Sequence, residues 1–155
     1  MPVPPATPEP GWTPVQPFLS LDSHSFLVAN PSGESVRIAY FRGPAAGALY
    51  AKAWFGRETQ GPPGHVHGGA MAAVLDEAMG GASWMNGYRS VAAKISVSFI
   101  AMLKLESETI VASRVERVDG RKVYLRATLS DLGGSAIAES DGLFIVLRDE
   151  ALKNT

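Results

Sequence analysis

The chain has 155 residues, a formal net charge of -1 at pH 7, 19% charged residues and no cysteine. This length suits a single domain with a buried core, and the near-neutral charge predicts no nucleic-acid partner. The absence of cysteine excludes disulfides, thiolate metal sites and a cysteine nucleophile. The N-terminus lacks the pattern of a signal peptide, and no apolar run is long enough to cross a bilayer. We therefore expect a soluble cytoplasmic protein without a membrane partner.

The N-terminal segment 1–17 contains seven prolines. Proline at this spacing prevents a regular helix and favours an extended arm, for which a loose tail is the alternative interpretation. We expect a single domain over 18–148, which begins with a short helix or loop and a strand near Phe26. Residues 149–155 are expected to form a polar C-terminal tail.

Alternating apolar and polar residues predict about five or six strands, and turns such as Asp119-Gly120 join the later ones tightly. Between the second and third strands, the apolar run 68–84 predicts one long buried helix. The sequence thus predicts an α+β fold in which an antiparallel sheet wraps around a central helix, with sheet edges that favour pairing across a dimer axis. The strands are predicted around 36–41, 49–55, 94–99, 109–118, 123–130 and 143–147.

Two carboxylates, Asp76 and Glu77, interrupt this apolar helix. A buried acid needs either a partner or a chemical role, so Asp76 is interpreted as a structural or a catalytic residue. Glu77 lies about 100° away around the helix and is interpreted as structural. The helix begins at His67-Gly68-Gly69, where the first N–H groups have no intrahelical partner and can donate to a developing oxyanion. The alternative is that the glycines only allow close packing of helix on sheet.

Helix geometry separates these groups. His67 lies nine residues before Asp76 and out of phase with it, whereas Gly69 shares a face with Asp76 at a distance of about 10 Å. If the helix start and the acid act on one bond, they must come from different subunits with antiparallel helices. The sequence therefore predicts a site at a dimer interface.

Two further clusters carry ionisable side chains. His65 and His67 have metal-ligand character, but no third ligand follows at a recognisable spacing, so no metal site is predicted. Arg121 and Lys122 follow the predicted hairpin turn, where they form either a solvated turn or a phosphate-binding pair.

The run GPPGHVHGGAMAAVLDEAMGG, with AAKISVSFIAML and VERVDGRKVYLRATL after it, resembles the hotdog-fold acyl-coenzyme A thioesterases, most closely the phenylacetate-pathway type. The resemblance covers about 47–147. It implies that Asp76 is the general base or nucleophile, that the Gly68 N–H polarises the thioester carbonyl, and that the two come from different subunits. His67 would shape the helix start. The implied substrate is an acyl-CoA, with no cofactor or metal, in a homodimer or homotetramer.

The sequence departs from this family at two positions. Gly61 stands where some relatives have an asparagine, and Gln60 is a candidate substitute. Ala92 stands where relatives often carry a Ser or Thr that holds the attacking water, and Ser83 or Ser90 is a candidate to compensate. A non-catalytic acyl-CoA-binding protein and, as a weaker alternative, a hotdog hydratase or dehydratase stay open at this point.

Overall fold

The computed structural model describes residues 7–18, 26–27 and 32–148. Within them it contains one α-helix, one short 3-10 turn at Arg57–Thr59 and seven strands. The helix is α1 (Gly68–Met85) and the strands are β1 (Thr13–Pro14), β2 (Val36–Arg42), β3 (Leu49–Phe55), β4 (Ser90–Phe99), β5 (Ser107–Asp119), β6 (Lys122–Asp131) and β7 (Ala136–Val146).

All seven strands form one antiparallel sheet in the order β1-β2-β3-β5-β6-β7-β4. Helix α1 packs on its inner face, and the core contains fully buried residues of both layers, among them Val74 and Leu75 of the helix and Phe55, Val111 and Leu129 of the strands. The predicted α+β architecture is thus confirmed, with a short seventh strand beyond the five or six expected. The described helix is not long and apolar enough to span a membrane.

Most of the predicted elements agree closely with the structure, and the largest difference is at β7. Alternation predicts this strand only from residue 143, whereas it begins at Ala136. The alternate buried positions before Phe144 are small residues, Ala138, Ser140 and Gly142, and a Cβ at Gly142 would lie 2.9 Å from Met79 Sδ of the helix. Small residues leave room for α1 but give a weak alternation signal. The predicted hairpin is confirmed, since β5 and β6 pair up to Asp119 and Lys122 around a left-handed Gly120.

The described part of the N-terminal arm is packed on the sheet. Thr13–Pro14 pairs with the edge of β2, where the missing proline N–H costs no ladder bond. The Trp12 ring stacks on Tyr50 with ring centroids 5.0 Å apart. The loose-tail interpretation is therefore wrong for residues 7–17. Phe26 lies in a turn and not in the predicted strand, and the predicted tail 149–155 is outside the described residues.

Strand β4 forms one edge of the sheet and is largely exposed in the single chain. Its large apolar side chains are accessible to solvent, with Phe99 53% exposed, and the exposure continues into Ile100 and Met102. An edge strand with exposed apolar side chains is the kind of surface that pairs with another strand.

Candidate active site

The start of α1 leaves one backbone N–H free. His67 is the N-cap residue, and its Nδ1 accepts the Gly69 N–H at 2.8 Å, so the neutral ring carries its proton on Nε2. The N–H groups of Ala70 and Met71 donate to the His67 carbonyl. Among the first-turn donors, only the Gly68 N–H has no partner in the described part of the chain. This corrects the prediction for Gly69, whose N–H is already used by His67.

The loop before the helix holds His67 in place. Gly61 donates its N–H to the His65 carbonyl, and Gln60 Oε1 accepts the Gly64 N–H at 2.9 Å. A Cβ at Gly61 would lie only 2.8 Å from His67 Cα. A side chain such as asparagine therefore does not fit at Gly61, whose role is to support the helix cap. The Gln60 amide nitrogen has no partner among the described residues and remains available as a donor.

Asp76 lies half-buried on α1. Its carboxylate has no hydrogen bond or ion pair within residues 7–18, 26–27 and 32–148, so the structure offers no support for a structural pair. Burial raises the pKa of Asp76 from its ordinary value of 3.8. Asp76 lines a cavity of about 310 Å³ together with the second acid of the helix and three aromatic rings; the other lining residues are Phe18, Phe26, Leu27, Ala73, Glu77, Gly80 and Phe144.

The neighbouring acid has a partner, as predicted. Tyr40 Oη donates a hydrogen bond of 2.8 Å to Glu77 Oε2, which ties α1 to β2. Burial and the charge of Glu77 raise the pKa of Tyr40 well above its ordinary value of 10.0, so the phenol stays protonated and remains a donor. The structural interpretation of Glu77 is confirmed.

The hydroxyls of Ser83 and Ser90 are hydrogen-bonded to each other. Ser83 Oγ donates to the Tyr88 carbonyl, so the 2.6 Å contact between the two hydroxyls is donated by Ser90 to Ser83. This buried pair ties the end of α1 to the start of β4. Ser83 lies seven residues after Asp76, about 10 Å along the helix axis. The expectation that either serine compensates for Ala92, which stands beside a β-bulge in β4, stays a prediction.

The basic pair lies at the far end of the helix from Gly68. Arg121 Nε donates to the carbonyl of Val146, which pairs with Ser90 beside the C-terminus of α1. Since α1 has 18 residues, its two ends are about 26 Å apart. Lys122 begins β6 at the same end. The single chain therefore does not bring the predicted phosphate ligands together with the helix start.

The rings of His65 and His67 are each hydrogen-bonded to the backbone. His65 Nδ1 donates to the Pro63 carbonyl at 2.9 Å, while His67 Nδ1 accepts from the backbone. Across the described residues, no group of three or more His, Cys, Asp or Glu side chains is arranged to hold a metal.

The Gly68 N–H lies beside a second cavity of about 300 Å³, formed between the helix start and the end of β4. Its lining is apolar and includes Val66, Met71, Phe99, Ile100 and Met102. The sequence motifs did not predict this apolar lining, because its residues are brought together only by the packing of β4 against α1. The arrangement offers one backbone donor in an apolar, open groove.

A sheet wrapped around one helix, with a free donor at the helix start and an unpaired acid two turns later, defines a hotdog-type protein. Solved structures agree with this class. A crystal structure described as a thioesterase superfamily protein superposes with a TM-score of 0.67 at 27% identity, covering 70% of this chain and 53% of that one. A hypothetical thioesterase from Streptococcus pneumoniae, solved with coenzyme A, superposes with a TM-score of 0.65 at 14% identity, covering 73% and 89%.

Residues 63–138 match the family model described as Thioesterase superfamily. The resemblance predicted from the sequence is thus confirmed for this segment. Acyl-coenzyme A thioesterase THEM4 of Bos taurus is 33% identical over 92 residues, 59% of this chain and 38% of that protein. The chain thus spans about two fifths of the length of the curated relatives it matches.

The N-cap bond of His67 gives a first testable prediction. His67→Ala leaves the Gly69 N–H without its acceptor and is expected to lower the free energy of unfolding by about 1 kcal/mol. His67→Asn keeps a good N-cap acceptor and should retain most of the stability. Urea unfolding at neutral pH measures both variants, and equal losses would show that the cap bond is not what stabilises the helix start.

Proposed function

We propose that the protein hydrolyses acyl-CoA thioesters to a free acid and coenzyme A. The observation that carries this proposal is the unpaired, half-buried carboxylate of Asp76 on the same helix as the free Gly68 N–H. An oxyanion donor and a base or nucleophile are the two groups that acyl transfer to water requires. Thioesterases among the curated and structural relatives support the same reaction.

In this mechanism the thioester carbonyl oxygen accepts the Gly68 N–H at the positive end of the helix dipole. The ionised Asp76 carboxylate takes a proton from water, whose oxygen attacks the carbonyl carbon, or attacks that carbon itself. The tetrahedral intermediate then collapses and breaks the C–S bond, which releases coenzyme A as the thiolate. In the direct-attack form, water hydrolyses the resulting anhydride and regenerates Asp76.

The proposed site needs two subunits. Gly68 and Asp76 are eight residues apart, about 12 Å along one helix, which is too far for both to reach one carbonyl group. The exposed edge of β4 and its apolar side chains supply a surface for a two-fold partner. Pairing there would set two α1 helices antiparallel, so that Asp76 of one subunit faces Gly68 of the other.

The remaining predicted residues take supporting roles in this proposal. Gln60 lines the groove beside His67, and its free amide nitrogen is placed to donate to the substrate. Arg121 and Lys122 would reach the nucleotide phosphates only from the partner subunit, because antiparallel helices bring the far end of one α1 to the start of the other. Arg121 offers the planar fork that suits phosphate oxygens.

The test is release of thiol from a panel of acyl-CoA esters by the purified full chain, with size-exclusion chromatography and light scattering to give the oligomeric state. We expect thiol release from a species no smaller than a dimer. A monomer that is fully active would overturn the two-subunit site, and absence of thiol release from every ester would overturn the hydrolase.

One observation favours a second candidate, a protein that binds acyl-CoA without cleaving it. Ala92 offers no hydroxyl to hold water, and the hydroxyls of Ser83 and Ser90 are engaged with each other and with the backbone. Submillimolar binding of acyl-CoA with no thiol release would identify this candidate.

The raised pKa of Asp76 predicts the pH dependence of the reaction. Because the ionised form is the working one and burial disfavours it, kcat/KM should fall on the acidic side with a midpoint above 3.8. The contribution of Asp76 to the free energy of unfolding should instead fall as pH rises. The folded state binds this proton more tightly than the unfolded state, and it loses that advantage as pH rises through the raised pKa. A pH profile of kcat/KM checks the first effect; an acidic midpoint at or below 3.8 would contradict it.

A further inference from the structure

The cavity beside Asp76 is lined in part by aromatic side chains from outside the segment that matches the family model. Phe18 comes from the N-terminal arm and Phe144 from β7, and both line the same 310 Å³ space as the Asp76 carboxylate. The family match covers only residues 63–138, so neither ring belongs to it.

Both rings lie close to a helical glycine, Gly80. A Cβ at Gly80 would lie 3.5 Å from Phe144 Cε2 and 3.8 Å from Phe18 Cζ, so the rings reach the helix surface on both sides of this position. Gly80 lies four residues after Asp76, about 6 Å along the helix. The two rings therefore line the cavity roughly one helical turn beyond the carboxylate.

Phe18 is held in this position by contacts of the residues before it in the arm and by its own ring. The Val15 N–H donates to the Tyr40 carbonyl at 3.1 Å, and the Trp12 ring stacks on Tyr50. On the other side, the Phe18 ring packs against Trp84 of α1, with ring centroids 6.0 Å apart. The ring is therefore a fixed part of the cavity wall and not the end of a free tail.

We propose that Phe18 and Phe144 form the end wall of the acyl-binding cavity and limit the substrate to short or compact acyl groups. The inference rests on the proposed thioester hydrolysis, which places the acyl carbonyl beside an Asp76 carboxylate. From there an extended chain has about 6 Å before it meets the rings, the span of roughly five carbon–carbon bonds. A longer chain must displace an anchored aromatic ring.

Two substitutions change the wall in opposite directions. Phe18→Ala removes one ring and lengthens the cavity, while Gly80→Ala adds a methyl group in ordinary van der Waals contact with both rings. The measured quantity is the ratio of kcat/KM for dodecanoyl-CoA to that for butanoyl-CoA, which is independent of the fraction of active protein. We expect Phe18→Ala to raise this ratio by about tenfold or more and Gly80→Ala not to raise it. Phe18→Leu, which keeps an apolar side chain, should raise it less than Phe18→Ala.

Binding of non-hydrolysable thioether analogues with the same two chain lengths, measured by calorimetry, separates this inference from the proposed reaction. If Phe18→Ala shifts the ratio of the two Kd values but no variant releases thiol, the end-wall inference is supported and the proposed thioester hydrolysis is overturned. If folded Phe18→Ala, with a melting temperature near that of the wild type, changes neither ratio, the end wall is overturned whether or not thiol is released. If Phe18→Ala fails to fold, Phe18→Leu and Gly80→Ala decide the question by the same ratios.

Discussion

Asp76→Asn is expected to lower kcat/KM for acyl-CoA hydrolysis by about 10²–10⁴-fold. The amide keeps the size and most of the shape of the side chain but cannot take a proton from water or form an acyl anhydride. Because the Asp76 carboxylate has no hydrogen bond or ion pair among the residues that the structure describes, the substitution breaks no visible contact. The loss of activity should therefore come from chemistry and not from misfolding.

Stability gives the Asp76→Asn experiment its second readout. Burial raises the pKa of Asp76, so holding the ionised form at neutral pH costs the folded state free energy, and Asn removes that cost. The variant should melt at an equal or higher temperature than the wild type while its activity collapses. Asp141→Asn is the matched control, because Asp141 is an exposed acid on β7 that lies 3.7 Å from Arg126. Equal rates for Asp76→Asn and the wild type would remove Asp76 from the mechanism.

The parts of this molecule that could be predicted from its sequence are those with local signals. The helix was predicted from an apolar run with a glycine start, and the β5–β6 hairpin from Asp119-Gly120, whose left-handed glycine fits a tight turn. The first half of β7 gave a weak signal, because small residues face the helix there. The proline-rich arm was misinterpreted because Trp12 finds its partner on β3, and no local pattern encodes a contact of that range.

The candidate site likewise has some features that the local sequence predicts and others that depend on tertiary packing. The helix phase predicted that Gly69 and Asp76 share a face and that one helix cannot supply the whole site. It could not predict that the His67 ring takes the Gly69 N–H, because this bond depends on a side-chain rotamer and on the packing of Gly61 under the residue. The contact between Phe18 and the cavity of Asp76 likewise depends on tertiary packing alone.

Gly68→Pro is expected to lower kcat/KM by about 10²–10³-fold, the usual effect of losing one oxyanion donor. Proline removes the N–H without disturbing the helical backbone, since Gly68 is the first residue of α1, a position that favours proline. His67, with φ -65° and ψ 137°, already has the extended backbone that proline requires before it. The melting temperature should not fall, because proline restricts the unfolded chain.

Gly68→Ala is the matched control for this donor. Its Cβ lies in the same place as that of proline, 3.3 Å from Phe99 Cζ, but alanine keeps the N–H. We expect Gly68→Ala to retain activity within about tenfold of the wild type, a loss well below that caused by proline. Equal losses in the two variants would assign the effect to crowding against Phe99 and would remove the Gly68 N–H from the mechanism.

The two inactive variants together test whether each site is shared between subunits. In a hybrid dimer of Asp76→Asn and Gly68→Pro subunits, one site combines an intact Gly68 N–H with an intact Asp76, and the other has neither. Since half of the randomly mixed dimers are hybrids with one working site of two, unfolding and refolding an equal mixture should restore about a quarter of the wild-type activity. A site contained within one subunit would restore none, because every subunit in the mixture lacks one of the two groups.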